Sequence, residues 1–201
     1  QEYFRQLSAE AAANPQDMAL QLQVVDLLRR GGAIQKAKYQ MGQLIEQNPD
    51  SAAVNLEMAA LNSSGKSSVP KEAVAYAEKA LALGPEKAHQ AVFALELIGR
   101  HQLERGQLEQ AERSMSEALA ALAAGSGSGD SRAEIELLIL RNQVYRRQHN
   151  YSAAYQDLQQ ALTLAHKSDI EALENRVRQE LDILAKHAKQ PTMAAPIEHL
   201  K

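Results

Sequence analysis

The chain has 201 residues, of which 45% are hydrophobic but only 4% aromatic, with no tryptophan and a formal net charge of −3. A core with so few aromatic residues must consist mainly of Ala, Leu, Ile and Val, which favours closely packed helices over an aromatic-rich β-sandwich. The absence of cysteine excludes disulfides, thiol catalysis and cysteine-ligated zinc, and the near-neutral charge argues against a dominant nucleic-acid-binding surface.

The first predicted element is a helix within residues 1–15, where Tyr3, Leu7 and Ala11 recur at helical spacing and Pro15 follows. This helix is interpreted either as the second helix of an upstream repeat or as an N-terminal capping helix. Because the chain begins without methionine, we expect it to be processed or to be part of a longer protein.

Regular spacing of prolines and alanines indicates internal repeats. Pro15, Pro49 and Pro85 follow one another at intervals of 34 and 36 residues. Alanines recur after polar turns at intervals of 36, 38 and 43 residues: Ala37, Ala73, Ala111 and Ala154. A period that begins near 34 residues and lengthens is typical of a helix–turn–helix repeat with insertions in its turns.

The repeated pattern resembles the tetratricopeptide repeat (TPR) family, and the resemblance extends over most of the chain. The third unit matches the family's two helices and turn at Leu95, Ile98, Gly99, Gly106, Ala111, Ala118 and Leu119. The sequence departs from the family pattern because the family's large aromatic residue is missing from every unit. The prolines that would close units three and four are replaced by Ala123 and His166.

The resemblance implies an all-α fold, a right-handed superhelical solenoid of antiparallel helix pairs. Each pair alone leaves an apolar face exposed, so neighbouring pairs stack to bury it. The predicted repeats are 18–51, 52–87, 88–124 and 131–167, followed by a capping helix at 168–190 and a tail at 191–201. The alternative is an irregular helical bundle in which the spacing is accidental.

The predicted capping helix begins with Ser168 and Glu171, which form a capping-box pattern. Its apolar residues form one stripe: Ile170, Leu173, Val177, Leu181, Leu184 and Ala188. The charged opposite faces favour a terminal helix exposed to solvent, and a coiled-coil dimer seam is the alternative. Self-association through this helix, or through Ile197 and Leu200 of the tail in a neighbour's groove, is a further possibility.

Two polar segments interrupt the helices. The segment Ser64–Gly65–Lys66–Ser67 superficially resembles a phosphate-binding loop, but it lacks the earlier glycine and the preceding strand, so we interpret it as a polar turn. The Gly-Ser segment 125–129 has the composition of a flexible linker, either native or engineered.

No motif indicates catalysis or a bound metal or cofactor. The six histidines never occur as a pair four residues apart with a glutamate between them, as zinc-protease chemistry requires. The Gly-x-Ser-x-Gly letters at 125–129 lack the strand–turn–helix context of a nucleophile elbow. We therefore predict no catalytic residue, no metal site and no cofactor, and a protein that is not an enzyme.

The resemblance implies that the first helix of each repeat lines a concave groove in which a peptide or helix binds. The predicted groove residues are Leu22, Asp26, Arg29, Leu56, Phe93, Glu96, Arg100, Glu136, Ile139, Gln143 and Arg146, with Ala19, Ala53 and Ala60 beside them. Three of them are predicted apolar anchor sites: Leu56, Phe93 and Ile139. Three are predicted to pair with acidic side chains: Arg29, Arg100 and Arg146.

Some family members hold a chaperone's terminal carboxylate in this groove with lysines, asparagines and an arginine. The corresponding positions here include Leu22, Asp26 and Glu57, which cannot hold a carboxylate. The sequence therefore predicts a non-enzymatic adaptor or scaffold that binds a protein or peptide, without nucleic acid or a membrane span. The alternatives are a docking or regulatory segment of a larger protein, such as a bacterial envelope-assembly factor or a sensor, and a helical enzyme. The compartment, cytoplasmic or periplasmic, stays open.

Overall fold

The computed structural model describes residues 2–125 and 131–188, and these residues form ten α-helices and no strand. The helices are α1 (Glu2–Ala13), α2 (Met18–Arg30), α3 (Ile34–Gln47), α4 (Ala52–Ser63), α5 (Lys71–Ala82), α6 (Ala88–Glu104), α7 (Leu108–Gly125), α8 (Ser131–Arg147), α9 (Tyr151–Lys167) and α10 (Glu171–Ala188). The linker prediction for 126–129 and the tail prediction for Ile197 and Leu200 concern residues outside the described ranges. None of the described helices is long and apolar enough to span a membrane.

Four turns end the preceding helix in the same way. A residue with positive φ follows the helix, and the next backbone N–H donates to a carbonyl five residues back, as in a Schellman motif. The positive-φ residues are Gly32, Gly106, His149 and Asp169. The corresponding hydrogen bonds run from Ala33 to Leu28, Gln107 to Gln102, Asn150 to Tyr145 and Ile170 to Ala165, at 2.8–3.0 Å.

The start of the last helix differs from the prediction. Ser168 lies at the C-terminal end of α9, where its N–H bonds to the carbonyl of Leu164, and α10 begins at Glu171. The predicted capping box is therefore wrong, because Asp169 adopts a φ of 53° and turns the chain between the two helices. Side-chain caps occur elsewhere: Asp17 accepts from Leu20 N–H at 3.0 Å.

The chain divides within α6 into two compact units, 1–101 and 102–201, and helices pack in chain order within each unit. In unit 1, each of α1 to α4 packs against the next helix and α2 also contacts α4. In unit 2, each of α7 to α9 packs against the next helix and α8 also contacts α10. The predicted all-α class, with helix pairs stacked along the sequence, is confirmed.

The recurring alanines lie in the first turns of α3, α5, α7 and α9. Ala37, Ala73, Ala111 and Ala154 are all 0% exposed. A small side chain at these positions lets the second helix of a pair approach the first closely, which requires interaxial distances of about 8–10 Å. The alanine spacing that indicated the repeat thus corresponds to a packing requirement of the fold.

Unit 2 contains a polar network inside its core. Arg141 on α8 donates two hydrogen bonds, of 2.9 and 2.7 Å, to the carboxylate of the buried Asp157 on α9. It donates a third to Ser116 on α7 at 3.1 Å, and its guanidinium lies 5.7 Å from the Tyr145 ring centre. The hydrogen bonds to Asp157 raise the pKa of Arg141, so this side chain joins three helices as a cation.

Candidate functional site

An open groove of about 460 Å³ lies within unit 1, and we call it the unit 1 groove. It is formed by α2, α4 and the first turns of α6. Five of the eleven predicted site residues line it: Leu22, Asp26, Arg29, Leu56 and Phe93. The three alanines predicted beside them, Ala19, Ala53 and Ala60, line it as well.

Helical periodicity explains why these residues share one surface. On α2 the groove residues Ala19, Leu22, Asp26 and Arg29 recur every three or four positions, which places them on one face of the helix. The opposite face carries the buried Val24 and Leu28, so the two faces of α2 have separate roles. The same spacing applies on α4, where Ala53, Leu56 and Ala60 line the groove.

The apolar part of the groove combines large and small side chains. Leu56 is 6% exposed and packs with Phe93 in one core cluster, while Leu22 packs at the edge of a second cluster. The alanines of α2 and α4 leave space between these larger residues. A bulky apolar side chain from another molecule therefore has a surface against which to pack.

The polar end of the groove is a four-residue ionic cluster, consisting of Asp26, Arg29, Arg30 and Glu57. Arg29 Nε lies 2.8 Å from Glu57 Oε1, and the same guanidinium hydrogen-bonds to Asp26. Arg30 Nε lies 2.8 Å from the second carboxylate oxygen of Asp26. The cluster therefore connects α2 to α4 and contains equal numbers of positive and negative charges.

Burial affects the two ends of the Arg29–Glu57 pair differently. Burial raises the pKa of Glu57 above 4.5, because the loss of hydration outweighs the hydrogen bond and charge of Arg29. Burial would lower the pKa of Arg29, but the hydrogen bonds and charges of Glu57 and Asp26 together raise it. Arg29 is thus stabilised as a cation by two carboxylates, whereas Glu57 is a carboxylate whose lost hydration is only partly replaced.

The two remaining predicted residues of α6 do not line this groove. Glu96 and Arg100 lie further along the helix, where the nearest atoms of their charged groups are 3.7 Å apart. Arg100 is exposed and Glu96 is half-buried.

The four predicted residues of α8 belong to unit 2. Glu136 lies 3.9 Å from Arg132, and Gln143 is half-buried. Arg146 pairs with Glu180 of α10 at 2.6 Å, with 21% and 15% of the two side chains exposed. Arg146, like Arg29, already has a carboxylate partner within the chain.

Ile139 requires a correction. The sequence predicts an apolar anchor site in the groove at Ile139, but this residue is 0% exposed and packs in the core cluster that contains Leu138 and Leu158. Because none of its surface is accessible, a bound partner could not contact it. A second cavity in unit 2, of about 310 Å³, is lined by residues such as Leu119, Leu138 and Arg141, and none of the predicted site residues lines it.

Five groove residues were not in the predicted set: Gln23, Arg30, Glu57, His89 and Gln90. Helical spacing could have identified all five. Gln23 and Arg30 follow Ala19 and Asp26 by four positions on α2, Glu57 lies between Ala53 and Ala60 on the same face of α4, and His89 and Gln90 precede Phe93 by one turn. No spacing in the sequence predicts the contact between Arg29 and Glu57, because it depends on how α2 and α4 pack.

Comparisons with known proteins identify the fold. No family model and no curated protein matches the sequence. Among solved structures, the chain is similar to one titled "Crystal structure of MamA protein", with a TM-score of 0.55 and 12% identity over 89% of this chain and 95% of that chain. At this identity the likeness shows the fold alone. The MamA protein is a TPR-like solenoid, so the chain has an all-helical, TPR-like solenoid fold.

Proposed function

We propose that this protein is a non-enzymatic adaptor that holds a peptide segment of a partner protein in the unit 1 groove. The observation that supports this most directly is the open groove itself, which offers the half-buried Leu22 and Phe93 beside small residues of α2 and α4. A TPR-like fold is consistent with protein partners at this general level. The division into four repeats, followed by α10 as the capping helix, is part of the same proposal.

The chemistry of the groove favours binding over catalysis. Four of its ionisable side chains form ion pairs, within α2 and between α2 and α4, rather than a nucleophile beside a base. The groove is open along its length, whereas catalysis benefits from a site that excludes water. An extended surface of this kind provides many shallow contacts, so we expect moderate affinity and a modest loss when one groove side chain is truncated to alanine.

The test is whether peptides bind at this surface. Ala19 is exposed and lines the groove, so Ala19→Leu would fill space needed by a ligand without disturbing the core. Ala75→Leu is the matched control, because Ala75 is an exposed helical alanine on α5 that lies outside the groove.

A displayed library of random 12-residue peptides would be selected against the full chain. We expect the enriched peptides to bind the wild type and Ala75→Leu equally, and Ala19→Leu at least about tenfold more weakly. Peptides that bind all three proteins alike, or no enrichment above background, would contradict the proposal.

A further inference from the structure

We infer that the unit 1 groove selects an uncharged peptide segment with one large apolar side chain, such as leucine, methionine or phenylalanine. This inference rests on the proposed function and specifies the chemistry of its ligand. It departs from the expectation that Arg29 binds an acidic side chain of the partner. The charge balance of the ionic cluster and the distribution of small residues around it favour such a segment.

The ionic cluster offers no advantage to a charged ligand of either sign. A partner carboxylate that approached Arg29 would have to displace Glu57, whose side chain is only 16% exposed and would then be left unpaired. A partner cation that approached Glu57 would meet the guanidinium of Arg29 at the same carboxylate, with Arg30 close by. Since Asp26 and Glu57 balance the two arginines, neither kind of ligand gains net attraction.

A neutral donor fits the same cluster without displacing anything. The hydrogen bond that Glu57 makes among the described residues uses its Oε1 atom, and its Oε2 atom can accept another. A main-chain N–H of a bound segment would supply that donor and bring no charge. It would also replace part of the hydration that Glu57 loses through burial, which is the cause of its raised pKa.

The rest of the groove fits an apolar side chain. Ala19, Ala53 and Ala60 form a slot of small residues, with Leu22, Leu56 and Phe93 around it. The groove volume of about 460 Å³ is within the range of about 300–1,000 Å³ that is common for ligand sites. Recognition would therefore come from apolar contact and main-chain hydrogen bonds.

The experiment uses the enriched 12-residue peptides whose binding is reduced by Ala19→Leu, measured against the full chain by fluorescence anisotropy. We expect each to contain a large apolar residue whose replacement by alanine weakens binding about tenfold or more. Placing either Glu or Lys next to that apolar residue in the peptide should also weaken binding. Affinity should change by less than about twofold between about 50 and 500 mM NaCl, because no net charge is neutralised.

A second variant tests the role of the cluster. Glu57→Gln removes one negative charge and leaves the cluster with one positive charge in excess, so a peptide with Glu next to its apolar residue should bind this variant more tightly than it binds the wild type. Groove-dependent peptides that are rich in acidic or basic residues, that lose affinity steeply with salt, or whose Glu-containing forms show no gain with Glu57→Gln would overturn this inference and leave the proposed function intact. If no enriched peptide depends on the groove, both fail.

Discussion

Arg29 and Arg146 form equivalent contacts in the two units. Each lies in the last turn of its helix, α2 or α8, is followed by a second arginine, and pairs with a glutamate two helices further along the chain. The distances are 2.8 Å to Glu57 and 2.6 Å to Glu180, and each side chain is less than a quarter exposed. Such pairs connect helices that no turn joins directly, so they stabilise the stacking of successive helix pairs.

The Arg29–Glu57 pair gives a prediction at this scale. Replacing Arg29 with glutamine leaves Glu57 as a largely buried, unpaired carboxylate, which should lower the free energy of unfolding by about 1–3 kcal/mol. Arg30→Gln is the control. The Arg30 side chain is 70% exposed, so its replacement should lower the free energy of unfolding by less than about 0.5 kcal/mol. Urea unfolding of the two variants measures the difference, and equal losses would contradict the contact's structural role.

The loss of folding stability in the Arg29→Gln variant should also depend on pH. Without Arg29, the pKa of Glu57 rises further above 4.5, so the folded state binds a proton more tightly than the unfolded state does. Stability then decreases as pH rises through the folded-state pKa. We therefore expect the deficit to be largest at neutral pH and to shrink as pH falls towards 4.5.

The helix ends determine how each helix connects to the next. Gly32 and Gly106 adopt positive φ values of 77° and 75°, and His149 and Asp169 take the same backbone conformation at 60° and 53°. Glycine adopts positive φ values with little strain because it lacks a Cβ atom, whereas the Cβ of other residues clashes with the backbone there. The positions of glycines in the sequence therefore predict only some of the turns of this kind. The turns at His149 and Asp169 could be identified only from the structure.

The same substitution at two glycines of one helix pair should have opposite effects. Gly32→Ala should cost about 1–2 kcal/mol through backbone strain alone, because an added Cβ there would have no atom within 4 Å. Gly42 lies inside α3, also with no atom within 4 Å of an added Cβ, so Gly42→Ala should stabilise by about 0.5–1 kcal/mol. Thermal unfolding compares the two, and changes of the same sign would show that the turn conformation is not required.

Over the whole molecule, the packing of helices in chain order implies that energetic effects are mostly local. In an array of stacked helix pairs each element interacts with its neighbours, so stability is approximately a sum of local contributions. Unit 1 carries the proposed binding groove, and the core that contains Ile139 belongs to unit 2.

Ile139→Ala should therefore separate stability from binding. Removing a side chain that is 0% exposed should cost about 2–5 kcal/mol. Hydrogen exchange should show lost protection in α8, α9 and α10, while α2 and α4 stay protected and groove-dependent peptides still bind. Ile183→Ala is the control, because Ile183 is 36% exposed and its truncation should have little effect. Loss of peptide binding in folded Ile139→Ala would show that the array is coupled more widely than we expect.

Local spacing patterns in the sequence were sufficient to predict the repeated helix packing and part of the groove. Ala37, Ala73, Ala111 and Ala154 occupy buried contacts because close helix packing tolerates only small side chains there, and that requirement is visible as spacing. The residues of α2 and α4 that line the groove were predictable since a helix presents positions three and four apart on one face.

Local spacing and backbone preference were sufficient to predict the helical class, the succession of helix pairs and the shared faces of α2 and α4. The burial of Ile139, the end of α9 at Ser168, and the pairing of Arg29 and Arg146 with Glu57 and Glu180 could not be predicted in this way. Burial and ion pairing depend on which helix packs against a given face, and helices such as α2 and α4 meet through residues far apart in the chain.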